Sequence, residues 1–515
     1  AGARAGGVSV SAGRASASGG AETGRRVAGT GDRGYVSGRR PARATAPSRR
    51  WLRTVSGLGA GSERQPMDRI RPLNAFDTAL LDYQLLHADV PINVNCLLVG
   101  TGPAPGIEAL RAWVSERLLR FPLLTERLVC LPGHRARYGW RADPDVDLDH
   151  LVREHPPAGV PGGGDGGAGE PGFAGTELRD FVERRSGAVV PVAGPPWQLW
   201  LLRSADDTAF ALLYRASHIQ QDGTAKNLVL SALFGVGSDP TAFVPPQRRE
   251  PGRARSREVG AAVARSLQWL APNARSAPFT APWIGRTTHS WATTSLARLR
   301  AVGAPVGATV NDVFLAGLAG ALRRWEGTGP ATEGLPVAMA VSTRQPGERA
   351  MLANFVAGAR IVLPCAEPLP LDRLLAVRDR TDRLKQGGTL GVGERLLFEL
   401  LPARIRPRLF GAGLSGRSSA LSVSNQAGAP GPLAVAGQPI TAAVPIPTLF
   451  PGQRLACHLS GLGDTVSVGT AADAGLPGSR DLAGLWEAEV NLLEEAVRAL
   501  LVGNGQWGGR RVRRG

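Results

Sequence analysis

The chain has 515 residues, of which 43% are hydrophobic, and this is enough apolar material for large buried cores. The formal net charge is +17, but residues 1–66 alone hold twelve arginines and three acidic residues, so the rest is only mildly basic and does not indicate nucleic-acid binding. The four cysteines form no CxxC pair, which argues against a disulfide framework and against a cysteine zinc site.

Residues 1–66 are rich in Gly, Ala, Ser and Arg, and we predict that they are disordered, with Met67 as an alternative translation start. Up to residue 250 the hydrophobic pattern predicts helices over 73–86, 107–121, 178–185 and 227–234, and strands over 92–99, 198–202 and 209–214. The Gly- and Pro-rich residues 158–175 predict a flexible surface insertion.

After a linker predicted over residues 251–280, the clearest helix is expected over 309–325, where apolar side chains recur at helical spacing. Further helices are predicted over 371–385, 394–401 and 481–501, and strands over 336–342, 355–363, 420–424, 440–444, 455–460 and 464–470. Mixed strands and helices in both halves indicate an α/β (α+β) protein of two units, 67–250 and 281–503, followed by a loose basic tail over 504–515. No run of 18 apolar residues is present, so no transmembrane helix is expected.

A polar turn with Ser217, His218, Asp222 and Gly223 separates the strand predicted over 209–214 from the next helix. An imidazole titrates near neutral pH, and a carboxylate four residues later can fix its surroundings, so these residue types suit base catalysis. A single histidine beside a turn is also common as a structural residue, and the residues alone leave both interpretations open.

Taken together, the motifs resemble those of the bacterial wax ester synthase/diacylglycerol acyltransferase family, within the condensation-domain and chloramphenicol-acetyltransferase-like group. The family motif HHxxxDG is matched by His218, Asp222 and Gly223, with Ser217 in place of the first histidine. Other family segments are matched by residues 72–77 (PLSPxD), 196–197 (PLW), 309–316 (TVNDVVLA), 341–344 (VSVR), 353–354 (GN) and 424–431 (SNVPGP). The resemblance spans about residues 70–501.

The resemblance implies two chloramphenicol-acetyltransferase-like subdomains with a tunnel between them and His218 facing its middle. It implies an O-acyltransferase that moves a fatty acyl group from acyl-CoA to a diacylglycerol or long-chain alcohol, with His218 as general base. Acyl-CoA is then a co-substrate, and no cofactor, metal or nucleic acid is expected. A cytoplasmic location is expected, with peripheral contact to a membrane or lipid-droplet surface.

The resemblance also assigns supporting residues. Asp222 is expected to point away from the substrate and to pair with Arg344, while Gly223 permits the tight turn. Candidates for the tunnel wall are Asn311, Asp312, Asn354, Ser424 and Asn425, although a helix-start role explains Asn311 and Asp312 equally well.

Ser217, and Val192-Ala193-Gly194 in place of an Asp-Arg before the PLW segment, depart from the family pattern. Two alternatives therefore stay open: a specialised natural-product acyltransferase or condensation-type enzyme, and a degenerate, non-catalytic lipid-binding homologue.

Overall fold

The computed structural model describes residues 70–131, 137–155, 173, 176–236, 256–267, 282, 284–325, 334–386, 391–414, 419, 421–450 and 452–507. All of them lie in one structural unit, Ala46–Gly515. The segment 1–66 predicted to be disordered, nearly all of the predicted insertion 158–175, and residues 508–515 of the predicted tail lie outside the described residues.

The described strands are β1 Arg71–Pro72, β2 Asn93–Thr101, β3 Glu126–Cys130, β4 Tyr138–Ala142, β5 Val152–Glu154, β6 Trp197–Arg203, β7 Ala209–Ser217, β8 Thr287–Ser295, β9 Leu335–Ser342, β10 Val356–Leu363, β11 Leu421–Asn425, β12 Leu433–Val435, β13 Gln438–Ile446, β14 Leu455–Leu462 and β15 Thr465–Asp473. The described helices are α1 Ala75–Leu86, α2 Ile107–Arg120, α3 Leu148–Leu151, α4 Glu177–Ser186, α5 Gly223–Phe234, α6 Ser256–Leu267, α7 Leu296–Gly303, α8 Val310–Arg324, α9 Pro370–Lys385, α10 Val392–Leu400, α11 Arg406–Leu414 and α12 Leu482–Trp507. The predicted mixture of helices and strands in both halves is confirmed.

A six-stranded sheet in the order β12–β13–β2–β7–β6–β5 organises the first half. All nine residues of its central strand β7 are buried, because helices cover both faces. Leu212 and Tyr214 pack with residues of α2 and α5 on one face, whereas Ala211 and Leu213 pack with residues of α4 on the other. Successive side chains of a strand point to opposite faces, which explains this alternation. Because both faces are packed, the position of the turn that follows Ser217 is fixed by the sheet.

A second six-stranded sheet, in the order β10–β9–β11–β14–β15–β8, organises the second half. The helices α8 and α12 contribute to the largest core, in which Phe314 of α8 packs near Trp486 of α12. The start of α8 carries the expected capping box between Thr309 and Asp312.

The second half of the chain contributes two strands to the first sheet. Strands β12 and β13 follow the second-half strand β11 in sequence, yet β13 pairs antiparallel with β2 of the first sheet, from Ile440 opposite Gly100 to Ile446 opposite Asn95. The chain then returns to the second sheet at β14. The predicted division at 67–250 and 281–503 stays a prediction, and this crossover follows from long-range pairing that local sequence patterns do not encode.

Ten of the described elements were not predicted from the pattern, namely β1, β3, β4, β5, β8, β12, α3, α6, α7 and α11. Two of them, α6 and β8, show why. Helix α6 lies inside the predicted linker 251–280, and Arg265 on it pairs with Glu394 of α10. Strand β8 is polar along most of its length, so it lacks the apolar alternation that reveals a strand. Within the described residues no single helix is long and apolar enough to cross a membrane; the pair Leu296–Val306 and Val310–Arg324 reaches that length together but is bent by 93°.

Candidate active site

The turn after β7 is fixed by a backbone hydrogen bond at its start and by a side-chain cap at its end. The His218 N–H donates to the carbonyl of Ile92 at 2.9 Å, which continues the pairing of β7 with β2. Asp222 is the N-cap of α5, and its Oδ1 accepts a hydrogen bond from the Ala225 N–H at 2.8 Å. The sequence from strand to cap therefore presents His218 at the end of the first sheet.

Asn354 determines which ring nitrogen of His218 carries the proton. Its Nδ2 faces three oxygens, Asp77 Oδ1 at 2.8 Å, the His218 carbonyl at 2.6 Å and the Ile219 carbonyl at 3.2 Å, so this atom is the amide donor. Its Oδ1 lies 2.8 Å from His218 Nδ1 and therefore accepts a hydrogen bond from the Nδ1–H group. His218 Nε2 is then left with a free lone pair, which is the form a general base requires.

Burial tunes the groups that surround this base. Burial lowers the pKa of His218, while its own backbone, Asp222 and Asn354 act in the opposite direction. The ring is therefore neutral at neutral pH. Burial raises the pKa of Asp77 to about 7, although hydrogen bonds from Asn354 and the charge of Arg71 oppose the rise.

The predicted pair of Asp222 and Arg344 is present. Arg344 Nη2 donates to Asp222 Oδ1 at 2.8 Å, and both side chains are buried. Asp222 Oδ2 also accepts a hydrogen bond from the Phe355 N–H at 3.0 Å. The carboxylate therefore ties the start of α5 to the second half of the chain, and within the described residues its hydrogen bonds go to Ala225, Arg344 and Phe355.

His218 lines a cavity of about 220 Å³ whose wall comes from both halves of the chain. Most of the lining is apolar, and its large side chains are Phe76, Leu80, Met339, Leu397, Phe398, Leu409, Phe410 and Phe450. The polar lining consists of His218, Ser266, Asn354, Glu394, Ser422, Ser424, Gln426 and His458. A base at the wall of a mostly apolar cavity suits a substrate with one polar reacting group and apolar chains.

The structure brings some of the sequence-predicted residues to this cavity and leaves others elsewhere. His218, Gly223, Asn354 and Ser424 line it, whereas Ser217, Asp222, Asn311, Asp312, Arg344 and Asn425 do not. Asp312 is fully buried and is used by the α8 capping box and by Thr381, whose hydroxyl donates to it at 2.6 Å. Among the described residues, Ser217 Oγ accepts a single hydrogen bond, a long one of 3.4 Å from the Ile219 N–H of its own turn.

Three residues near His218 were missed by the sequence analysis: Lys226, Gln426 and His458. Lys226 is fully buried, and its Nζ donates to Gln426 Oε1 at 3.1 Å. Burial lowers the pKa of Lys226, and burial, together with the nearby Lys226 and His218, lowers the pKa of His458 to about 3. A usable signal existed for Lys226, because lysine occurs at only two positions in an arginine-rich chain.

Gln426 lies directly against the motif glycine. A Cβ on Gly223 would stand 2.4 Å from Gln426 Cδ, so a side chain at this position would have to displace Gln426. Because Gln426 Oε1 accepts from Lys226, its Nε2 remains as a donor at the cavity wall. Within the described residues no group of three or more His, Cys, Asp and Glu side chains is arranged to hold a metal ion.

The sequence matches two family models. Residues 73–271 match the wax ester synthase/diacylglycerol acyltransferase catalytic domain, and residues 352–494 match the C-terminal domain of the same family. A protein of Mycobacterium bovis named as a diacylglycerol O-acyltransferase is 26% identical over 354 residues, which cover 63% of this chain and 73% of that protein. A second protein so named, from Mycobacterium tuberculosis, is 25% identical over 417 residues, covering 73% of this chain and 88% of that protein.

Solved structures show the same fold. The wax ester synthase/diacylglycerol acyltransferase from Marinobacter aquaeolei VT8 superposes with a TM-score of 0.56 at 21% identity, over 83% of this chain and all of that one. The starter condensation domain of rhizomide synthetase, solved with C8-CoA and Leu-SNAC, gives a TM-score of 0.55 at 14% identity, over 84% of this chain and 95% of that one. The expected relation to condensation domains is therefore confirmed at the level of the fold.

Proposed function

Since this chain belongs to the wax ester synthase/diacylglycerol acyltransferase family and is an acyltransferase, we propose that it transfers a fatty acyl group from acyl-CoA to the hydroxyl of a diacylglycerol or long-chain alcohol. The observation that carries the proposal is the state of His218. Its Nδ1 is held by Asn354, its Nε2 is unprotonated, and the ring lines a mostly apolar cavity.

The proposed reaction needs one base and no covalent enzyme intermediate. His218 Nε2 accepts the proton of the acceptor hydroxyl while the oxygen attacks the thioester carbonyl carbon. The C–S bond then breaks, the ester leaves, and the proton on Nε2 passes to the sulfur of CoA. Base assistance of this kind contributes roughly 10²–10⁴-fold to the rate.

We propose that Gln426 stabilises the negative charge that develops on the thioester carbonyl oxygen. Its amide nitrogen is a neutral donor at the cavity wall, and its orientation is set by Lys226 Nζ, which donates a hydrogen bond to the amide oxygen. A donor fixed in advance stabilises a developing oxyanion without the reorganisation that water would require. Loss of one such donor costs on the order of 10²–10³ in kcat.

The acceptor is proposed from the cavity chemistry and from the relatives. The wall is rich in Leu and Phe, which favours acyl chains and lipid alcohols over polar acceptors. The mycobacterial relatives are named for diacylglycerol, and one structural neighbour was solved with an acyl-CoA. A membrane or lipid-droplet surface as the source of the acceptor stays a prediction.

The test is a panel of acyl-CoAs against diacylglycerol, long-chain alcohols and amine acceptors, with release of free CoA as the measurement. We expect turnover with the lipid hydroxyls and a fall of about 10²–10⁴-fold in His218→Ala. The matched control is His458→Ala, which removes a second imidazole from the same cavity. The low pKa of His458 makes that imidazole a poor base.

Each alternative function gives a different result in this panel. Turnover confined to amine or natural-product acceptors would favour the condensation-type alternative. A wild-type protein that binds lipid but releases no CoA would favour the non-catalytic alternative. Full activity in His218→Ala would exclude His218 as the base.

A further inference from the structure

A second cavity, of about 460 Å³, lies in the first half of the chain beside α4 and strands β5 to β7. Four arginines line it, namely Arg153, Arg184, Arg185 and Arg215, together with a single carboxylate, Glu154. That carboxylate is already occupied, because Arg203 Nε binds it at 2.5 Å. We refer to this cavity as the arginine pocket.

The four arginines have no acidic partner among the described residues. Arg215 donates to the amide oxygen of Gln198 at 3.1 Å and to the carbonyl of Ala188, both of which are neutral. Arg185 donates to the neutral ring of His155, with its Nη2 2.8 Å from His155 Nδ1. The arginine pocket therefore holds several positive charges that no carboxylate among the described residues neutralises.

Arg215 is the observation that points most directly to a ligand. Its residue is only 3% exposed, and its Nε is buried without a hydrogen-bond partner. Burial, together with the nearby Arg185, lowers the pKa of Arg215 to about 10. A guanidinium held out of water, with an unused donor and no anion, is costly unless an anion from outside completes it.

The stacking in the pocket leaves donor edges available for such an anion. The guanidinium of Arg185 lies 3.9 Å and that of Arg153 lies 4.7 Å from the ring centre of Trp200. Stacking uses the faces of the guanidinium groups and not their N–H edges. The Nε and Nη2 edge of Arg185 is taken by His155 Nδ1, which leaves its Nη1 for ligand contacts.

We propose that the arginine pocket binds a phosphate group carried on a larger organic ligand. Several guanidinium forks suit a phosphate, which offers three acceptor oxygens and up to two charges, better than a single carboxylate. The pocket volume of about 460 Å³ is many times the roughly 30 Å³ that one water molecule occupies in the liquid. An inorganic phosphate, which is only a few times larger than water, would therefore leave most of the pocket empty. The pocket therefore has room for the organic part of a nucleotide or a lipid headgroup.

The position of Arg215 makes both sources of phosphate reasonable for this enzyme. Arg215 precedes His218 by three residues, so the two Cα atoms are roughly 10 Å apart along the strand. The phosphate could belong to the CoA part of the donor or to a phospholipid headgroup. The site itself is proposed from the unpaired charges, and it stands even if the proposed reaction fails.

Direct binding to the full chain tests the proposal. The probes are inorganic pyrophosphate, CoA, 3′-dephospho-CoA and dioctanoyl phosphatidate, measured by calorimetry at constant ionic strength. We expect saturable one-to-one binding of at least one probe. Arg215→Met and the double variant Arg184→Gln/Arg185→Gln are each expected to weaken it about tenfold or more. The matched control is Arg120→Gln, which removes an exposed arginine of the same half outside the pocket.

The arms distinguish the source of the phosphate. A preference for CoA over 3′-dephospho-CoA would assign the 3′-phosphate of CoA to the pocket, and binding of phosphatidate alone would assign a lipid headgroup. The proposal is overturned if no probe binds saturably. It is also overturned if Arg120→Gln weakens binding as much as the pocket variants, because the effect would then be general electrostatics.

Discussion

His218 is held by an amide rather than by a carboxylate, and this has a consequence for pH. A carboxylate at Nδ1 would raise the pKa of the ring, whereas Asn354 orients the ring without supplying a charge. Burial then dominates and lowers the pKa of His218. The neutral, proton-accepting form therefore persists into mildly acidic solution.

We predict that the acid limb of kcat/KM has its midpoint below the ordinary histidine value of about 6.5. The second group that titrates nearby is Asp77, with a pKa of about 7, so the control is Asp77→Asn. This variant keeps an oxygen for Asn354 but cannot titrate. An acid limb at or above 6.5, or a limb that disappears in Asp77→Asn, would contradict the assignment to His218.

Lys226 provides a separate prediction on stability. Its side chain is fully buried, and among the described residues it has only the Gln426 amide oxygen as a hydrogen-bond partner. We expect Lys226→Met to raise the free energy of unfolding at neutral pH by about 1–3 kcal/mol, because burying an ionisable amine beside a neutral partner costs free energy. Activity should fall, because Gln426 loses the group that orients it.

The pH dependence fixes the sign of this effect. The pKa of Lys226 is lower in the folded than in the unfolded chain, so its destabilising charge is fully present below the folded-state pKa. The advantage of Lys226→Met should shrink as pH rises from that value toward about 10.4, where the unfolded lysine also loses its proton. Urea unfolding at several pH values measures it, and Lys385→Met, at an exposed lysine, should change nothing.

The sequence predicts the members of this site better than their roles. The turn with His218, Asp222 and Gly223 was recognisable because its residues are local, and Asn354 was placed at the tunnel wall. Its contact with the His218 ring could not be predicted, since it joins residues 136 apart in the sequence. The position of Gln426 against Gly223 is hidden for the same reason.

Among the elements, helix α8 shows how a buried ion pair limits packing. Arg373 Nη2 and Arg324 both bind the buried Glu489 of α12, the second at 2.7 Å. Gly320 of α8 lies against this group, and a Cβ there would stand 2.1 Å from Glu489 Oε2 and 2.6 Å from Arg373 Nη2. The absence of a side chain at this position lets α8 approach α12.

We therefore predict the reverse of the usual effect for Gly320→Ala. In an open helix this change stabilises by about 1 kcal/mol. Here the methyl group should displace a buried charge pair and destabilise the protein by about 2–4 kcal/mol. Thermal unfolding measures the difference, and Gly484→Ala in α12, where an added Cβ meets nothing within 4 Å, is the control. A stabilised Gly320→Ala protein would show that the pair adjusts freely.

Helix α8 was predicted within one residue because its apolar side chains recur over four turns and Thr309 caps it. The sequence predicted strand β7 only in part, since its last three residues, Arg215 to Ser217, are buried but not all apolar. Strand β8 was missed because its Thr and Ser side chains carry no alternation. Strong periodicity reveals an element, whereas polar strands depend on partners that lie far away in sequence.

For the whole molecule, the crossover of β13 makes the two halves interdependent. Without β13, strand β2 would become an uncovered edge of the first sheet, and long exposed edges promote aggregation. We predict that residues 67–250 expressed alone are insoluble, whereas the same fragment co-expressed with residues 251–515 co-purifies with it. Size-exclusion chromatography of tagged fragments measures this. A soluble, monomeric first fragment would contradict the prediction.

The ring of His218 is also held by Asn354, which the ribosome adds 136 residues later. During synthesis, an emerging chain therefore carries the imidazole before anything selects its tautomer or encloses it. A truncated product that ends ahead of Asn354 would have the recognisable motif but would lack the amide that orients the His218 ring. Under the proposed function we expect such a product to be inactive, since the cavity beside the ring also requires residues that follow Asn354.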